Sequence, residues 1–338
     1  MKFGTLTNDV AIDLGTDNTR IYYKGNITDE ASVIAYDADS GKIIALGKEA
    51  GEMMGRNPET VIVAKPLSNG VITDYDHACE MIRGFLAKVT GTNVIKPKVM
   101  VTVPCGATDV EKRAVCDAVK ASDIKDVYVM EAPIAGAIGA NCDVSLARGM
   151  MLVDIGGGSC DIAVISLGQV VTGKSLKLGG DEFTAAIIEY VKNKYDLLIG
   201  EHTAAKVKEE IGCAFQREKD ISVEVGGFNT KTRSVQKIRI SSEETREAIS
   251  ELIQKIADEI KAALDDTPTE LLGDIMEDGI LMVGGGAQLY GLQKRLRIDL
   301  GVKMFLAEDA QMCVARGAGA TVENMDKMDD GTYLFYKG

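Results

Sequence analysis

The sequence predicts an α/β fold in which one structural unit is used twice around a shared cleft. Two observations lead there. AIDLGTDNTRIYY (11–23) and VDIGGGSCDIAVIS (153–166) follow one plan: an apolar strand, an aspartate, a glycine turn, then a second strand. Elsewhere apolar strands alternate with helical patterns, which is the signature of the α/β class. With 338 residues the chain can build two packed domains, and 46% apolar with 26% charged residues is a globular composition. No low-complexity linker separates the halves, so they are expected to share a rigid cleft.

Taken in order, AIDLGT starts as a strand and turns at Gly15, and IYYKG continues as the second strand of a hairpin. VMVTVP (99–104) is a buried strand stopped by Pro104, ATDVEKRAVCDAVKASD follows as a helix, and DVYVMEAP is the next strand. DIAVIS and QVVTGKSLKL repeat the hairpin pattern around a short Leu-Gly turn. In DEFTAAIIEYVKNKY, Phe183, Ala186, Ile187, Tyr190 and Val191 recur at helical spacing behind Asp181, which is expected to cap the helix. ISVEVGGFNTKTRSVQKIRI (221–240) reads as a hairpin. In SSEETREAISELIQKIADEIKAAL, Ser241 and Glu244 form a capping box ahead of an apolar stripe, Ile249, Leu252, Ile253, Ile256 and Ile260. Both stripes read as core faces.

Bulk properties exclude several functions. The formal net charge of −13, with no sizeable basic patch, argues against nucleic acid as a partner. MKFGTLTNDV lacks the apolar core of an export signal, and no window of about 18 apolar residues is present. The seven cysteines are scattered without a C-x-x-C pair and read as reduced core thiols, which points to the cytoplasm.

The glycine stretches carry the chemistry. Glycine lets successive backbone N–H groups approach an anion closely and form a concave site for it. Asp13 and Asp154 each stand just before such a turn, where a carboxylate can hold Mg²⁺ through water. If the halves face each other, the two turns clamp one polyphosphate from both sides. A third cluster, Gly284-Gly285-Gly286 in LMVGGGAQLYGLQKRL, reads as strand, glycines, then helix, and suits a nucleotide base or phosphate. GQVVTGKS (168–175) satisfies the phosphate-loop pattern G-x-x-x-x-G-K-[ST]. That loop must lead into a helix, and here only three residues separate Ser175 from Gly179, so the segment reads as a strand.

The ordered set DLGTDNT, VMEAPIAGAIGA, DIGGGSCDIAV, LGGDEF and LMVGGGAQL resembles the actin, chaperone-ATPase and sugar-kinase superfamily, and within it the MreB family of bacterial actins. Supporting stretches are PLSNGVITDYD, VTVPCGATDVEKRAV and MCVARGAGA, so the resemblance covers almost the whole chain. It implies an actin-like fold: two duplicated ribonuclease-H-like lobes and four subdomains around a cleft for ATP and Mg²⁺. The implied subdomains are 1–32, 71–146 and 310–338 (IA), 33–70 (IB), 147–181 and 250–309 (IIA), and 182–249 (IIB). The resemblance places Gly15, Thr16, Asp17 and Asn18 on the first phosphate turn and Gly156, Gly157 and Gly158 on the second. It brings Gly180 and Asp181 to the ribose, Lys208 to the base, and Gly284, Gly285, Gly286 and Ala287 to the adenosine, with Asp13 and Asp154 around the metal. It further implies head-to-tail protofilaments of the chain with itself, with paralogous subunits as further partners.

The chain departs from that family at three places. Two glutamates normally precede the proline of the connecting segment, and the residue directly before it handles the attacking water. Here the segment is Met130-Glu131-Ala132-Pro133, so alanine holds the catalytic position. A methyl group neither accepts a proton nor orients water, and losing such a group costs roughly 10²–10⁴-fold in rate. Glu131 is adjacent, but neighbours on an extended segment point to opposite faces, which makes it a poor substitute. Ser159 replaces the usual threonine and keeps the hydroxyl, while Ala205 replaces a glutamate three residues before Lys208. Hydrolysis is therefore expected to be slow.

GTNVIKPK (91–98) sets Val94 and Ile95 beside two lysines. In the MreB family a loop here dips an apolar pair into the bilayer, which implies a place at the inner face of the cell membrane. Two other readings stand beside the filament. A small-molecule kinase of the same superfamily normally needs a longer chain for its substrate pocket. A non-polymerising nucleotide-binding module shares every motif. A chaperone ATPase is disfavoured because the chain ends soon after the third glycine cluster.

Overall fold

A computed structural model describes residues 8–91, 97–327 and 335–338. The membrane pair Val94 and Ile95 lies outside the described residues.

Two mixed sheets carry the architecture. One has the strand order Tyr336–Lys337, Val127–Glu131, Val99–Val103, Val10–Leu14, Asn18–Tyr23, Asn26–Ala31. The other has the order Gln169–Leu176, Cys160–Ser166, Met150–Ile155, Ile280–Val283, Met304–Leu306. Within both, three consecutive strands form an antiparallel meander, and two later strands add in parallel on the far side of its first strand. The sequence echo is thus a topological duplication. Parallel neighbours require crossovers, and the helices Asp109–Lys120 and Leu292–Leu300 supply them. The segment that mimics a phosphate loop is the edge strand Gln169–Leu176.

Each lobe also carries a small sheet. Ile34–Asp37 pairs antiparallel with both Ile43–Leu46 and Val61–Ala64. The predicted hairpin forms as Ser222–Asn229 against Ser234–Ser241, extended by Leu197–Leu198.

The two large sheets meet over a pair of central helices, Ala132–Gly139 and Cys313–Asn324. One core cluster contains Ala11, Met100 and Met130 from the first sheet, Leu152, Ala163 and Ile165 from the second, and Ile134, Val314 and Ala318 from the helices. Burying both faces of each helix demands small side chains. At Gly139 a Cβ would collide with the Cys313 carbonyl, and at Gly317 with the Ala135 carbonyl.

Helix ends follow local chemistry, with two corrections. Ser241 and Glu244 form the expected capping box on Ser242–Asp265, and Ile249, Ile253, Ile256 and Ile260 are buried, with Leu252 at the rim. Asp181 does not cap its helix. The helix Gly180–Tyr195 starts one residue earlier, capped by Gly179, whose N–H donates to Glu182 Oε2 at 2.7 Å. Phe183, Ile187 and Val191 face the core there, while Tyr190 reaches the surface and donates to Glu247. The third glycine cluster also differs from expectation. Gly286–Gln288 is one 3₁₀ turn, and the helix begins only at Leu292, after Gly291 at φ 75°. Consecutive glycines are poor helix formers, so the chain stays open there. All seven cysteines are free, and only Cys142 is not fully buried.

Candidate functional site

A cleft of about 600 Å³ opens between the lobes. Its floor is built by the duplicated strand–turn–strand units. The first turn presents Gly15, Thr16, Asp17 and Asn18, and the second Gly156, Gly157, Gly158 and Ser159. The turns touch. A Cβ on Gly158 would stand 2.8 Å from Thr16 Oγ1, and one on Gly157 would fall inside the Asp17 carboxyl group. Only glycine allows this approach, which leaves two sets of backbone N–H groups around one space. The first turn is braced from behind: the Ser32 hydroxyl donates to the Gly15 carbonyl at 2.6 Å, and the Gly70 N–H donates to Thr16 Oγ1 at 2.8 Å.

The other residues named from sequence come largely to this cleft. Asp13, Asp154, Gly180, Lys208, Gly284, Gly285, Gly286 and Ala132 all line it. Lys208 donates to the Gly180 carbonyl at 2.7 Å, and its burial lowers its pKa. Three expected residues are not lining residues. Ala287 is buried beneath the glycine loop, Asp181 turns toward Lys65, and Glu131 lies off the wall. Glu131 ends its strand and Ala132 opens the helix with Pro133 behind it, so the methyl group meets the cleft. Burial pushes the Glu131 carboxyl up, with Lys112 opposing.

Strand register concentrates negative charge at the floor. Asp13 sits opposite Arg20, while Asp154 sits opposite a second carboxylate, Asp161. Thr102 donates to Asp13 at 3.2 Å, and Arg20 stands 3.8 Å away. Burial raises the Asp13 carboxyl, with Arg20 opposing. Burial, then the charges of Asp161 and Asp13, push Asp154 up to about 8. Burial pushes Asp161 up to about 6, although Ser175 and the Cys105 N–H, at 3.2 Å, both hydrogen-bond to it. Such a floor suits a cation. Among the described residues no three His, Cys, Asp or Glu side chains converge closely enough to hold one directly. A Mg²⁺ ion here would keep several waters and take further oxygens from phosphate.

Sequence reasoning missed Asp161, Lys65 and Arg217. Hairpin register was the available signal for Asp161, because the strand partner of a buried aspartate is fixed by the turn. Lys65 crosses the cleft, with its Nζ 3.0 Å from Asp17, 3.5 Å from Asp181 and 3.6 Å from Glu201. Burial would lower its pKa, but these carboxylates reverse the effect and hold it above the usual value.

The MreB/Mbl protein family profile matches residues 7–330. The cell shape-determining protein MreB of Escherichia coli (strain K12) is 40% identical over 331 residues, covering 96% of this chain and 95% of that protein. Mbl of Bacillus subtilis (strain 168), also described as cell shape-determining, is 39% identical over 323 residues, covering 95% and 97%. Among solved structures, MreB5 of Spiroplasma citri bound to AMPPNP superposes with a TM-score of 0.90 at 31% identity, covering 94% of this chain and 96% of that one. A MamK double helical filament matches at TM-score 0.79 and 20% identity, a likeness of fold alone.

Proposed function

Because the chain belongs to the MreB/Mbl family of bacterial actins, we propose that it binds ATP with Mg²⁺ in the interlobe cleft and polymerises head-to-tail into filaments that govern cell shape or motility. The observation that carries the reading is the contact of the two glycine turns above three largely buried carboxylates, Asp13, Asp154 and Asp161. The related MreB5 was solved with AMPPNP and with ADP, which supports a nucleotide as the occupant.

In this reading the N–H groups of Gly15 to Asn18 and Gly156 to Ser159 bind the phosphates from opposite sides. Asp13 and Asp154 would hold Mg²⁺ through water, and the bound ion would supply charge neutralisation at the phosphate oxygens. Gly180 and Lys208 shape the ribose and base wall together with Gly284 to Gly286. Ser159 keeps a hydroxyl at the second turn, where the family has threonine. Ala132 leaves the attacking water without an acid or base, so hydrolysis is slow and filament turnover is not timed by chemistry. The four-subdomain division at 33–70 and 182–249 belongs to the same proposal, as do the inner membrane face as the place of work and Val94 with Ile95 as the anchor. A pair of small aliphatic side chains binds lipid weakly alone, and repetition along a filament supplies the avidity.

ATP-dependent pelleting with parallel phosphate release is the test. Pelleting with ATP and equally with a nonhydrolysable analogue, while phosphate lags far behind, is the expected result. Nucleotide binding without pelleting would leave only a binding module. No loss of liposome co-sedimentation on Val94→Ser with Ile95→Ser would remove the membrane anchor.

A further inference from the structure

The walls of the cleft can be followed outward from the glycine turns. The Gly180 N–H donates to the Gly156 carbonyl at 3.0 Å, and Lys208 reaches the Gly180 carbonyl. One helical turn beyond Lys208 the chain leaves its helix at Gly212 and runs to Arg217. The opposite wall, after the third glycine cluster, ends at Tyr290. There the two walls join: the Ala214 N–H donates to the Tyr290 carbonyl at 2.7 Å, and Cys213 bridges to Tyr290 in parallel register. Arg217 and Tyr290 both line the cleft at this outer end.

Arg217 is held in an unusual way. Its guanidinium lies over the Tyr290 ring, with Cζ 3.9 Å from the ring centroid. One Nη2 donates to the Gly212 carbonyl at 3.2 Å. No carboxylate among the described residues forms an ion pair with it. The Cys213 thiol also faces the guanidinium, and among the described residues the buried Nε–H has no hydrogen-bond acceptor. A charged, planar group has been fixed at the mouth of a cleft without a counter-ion. A guanidinium covered by an aromatic ring on one face keeps its other face for a ligand.

We propose that Arg217 is a specificity-determining residue of the cleft, selecting a purine base: the guanidinium, backed by Tyr290, stacks on the bicyclic ring. This rests on the reading of the cleft as a nucleotide site. A purine, with two fused rings, covers the guanidinium plane, whereas the single ring of a pyrimidine covers less of it. The phosphates sit at the other end of the wall, so the contribution of Arg217 belongs to the base and not to the charge of the nucleotide.

The experiment measures affinities of ATP, UTP and inorganic tripolyphosphate, each with Mg²⁺, for the wild-type chain and the variants R217L and R217K. R217L is expected to weaken ATP by about 5- to 20-fold and UTP by less, narrowing the ATP/UTP ratio, with tripolyphosphate within about twofold of wild type. R217K, which keeps the charge and loses the plane, is expected to behave like R217L. The unchanged tripolyphosphate affinity also shows that the phosphate end is still folded. Equal loss of ATP and tripolyphosphate, full recovery in R217K, or an unchanged ATP/UTP ratio overturns the proposal for Arg217 and leaves the nucleotide reading standing. A wild-type chain that binds neither ATP nor tripolyphosphate overturns both.

Discussion

Asp161 faces Asp154 across an antiparallel strand pair, at the register position that Arg20 takes opposite Asp13 in the other lobe. The duplicated unit has therefore kept its backbone and changed the charge of one partner. One lobe sets a guanidinium beside its aspartate, and the other sets a second carboxylate there, itself held by Ser175 and the Cys105 N–H. That asymmetry turns a symmetric fold into a site with one cation-seeking side.

Replacing Ala132 by glutamate restores an acid/base group to a position that lines the cleft. Single-turnover phosphate release is expected to rise by about 10²-fold, with ATP affinity little changed. Wild-type protein releasing phosphate as fast as the Ala132→Glu variant would falsify the assignment of slow hydrolysis to this position.

Lys65 joins Asp17 of one lobe to Asp181 and Glu201 of the other. With its side chain about a quarter exposed, at 26%, solvent screens part of the attraction. Lys65→Met leaves carboxylates facing each other across the cleft mouth. Release of a fluorescent ADP, followed by stopped flow, is expected to accelerate by about 3- to 10-fold. An unchanged release rate would mean that the cluster does not hold the lobes together.

Glu30 offers a pH dependence remote from the cleft floor. It is 6% exposed, paired with Lys88, and accepts the Lys48 N–H at 3.1 Å. Burial would raise its pKa, but Lys88 and the Lys48 N–H outweigh burial and bring it below its usual 4.5. A depressed folded pKa means that the folded state binds fewer protons than the unfolded chain. The stabilisation is therefore present above about pH 4.5 and is lost as pH falls through the folded value. Glu30→Gln is expected to cost about 1 kcal/mol near neutral pH, since Lys88 is largely solvated. Thermal melts should show that gap closing on acidification; a gap that stays constant with pH would rule out the ion pair as its source.

Gly317 faces the Ala135 carbonyl with no room for a Cβ. Gly317→Ala would gain helix propensity on an isolated helix, yet in the fold it forces the two central helices apart. We expect a net loss of about 2–4 kcal/mol in urea unfolding. A neutral or stabilising result would show that the helices separate freely, and that the lobes are not hinged on this contact.

Much of the fold was legible because its signals are local. The hairpins at 11–23 and 153–166 were read from alternation and glycine, and the Ser241–Glu244 cap from a spacing of three. The misreadings were also local in origin. Asp181 looks like a cap because aspartate commonly is one, but its carboxylate turns to Lys65 instead, 116 positions away in sequence. The run after Gly286 looks like the start of a helix because the residues beyond it are helical, but glycine delays that start to Leu292.

The sequence by itself determined where the chain turns, which strands are apolar, which two aspartates precede a glycine turn, and that alanine stands before Pro133. Those are properties of neighbours along the chain, governed by backbone sterics and hydrophobic period. Only the tertiary structure decided that Asp17 would press against Gly157, that Lys65 would reach two lobes, and that Arg217 would lie over Tyr290. Each of these joins segments far apart in the chain, and no local preference encodes such a meeting; it follows from the way two duplicated sheets close over one pair of helices.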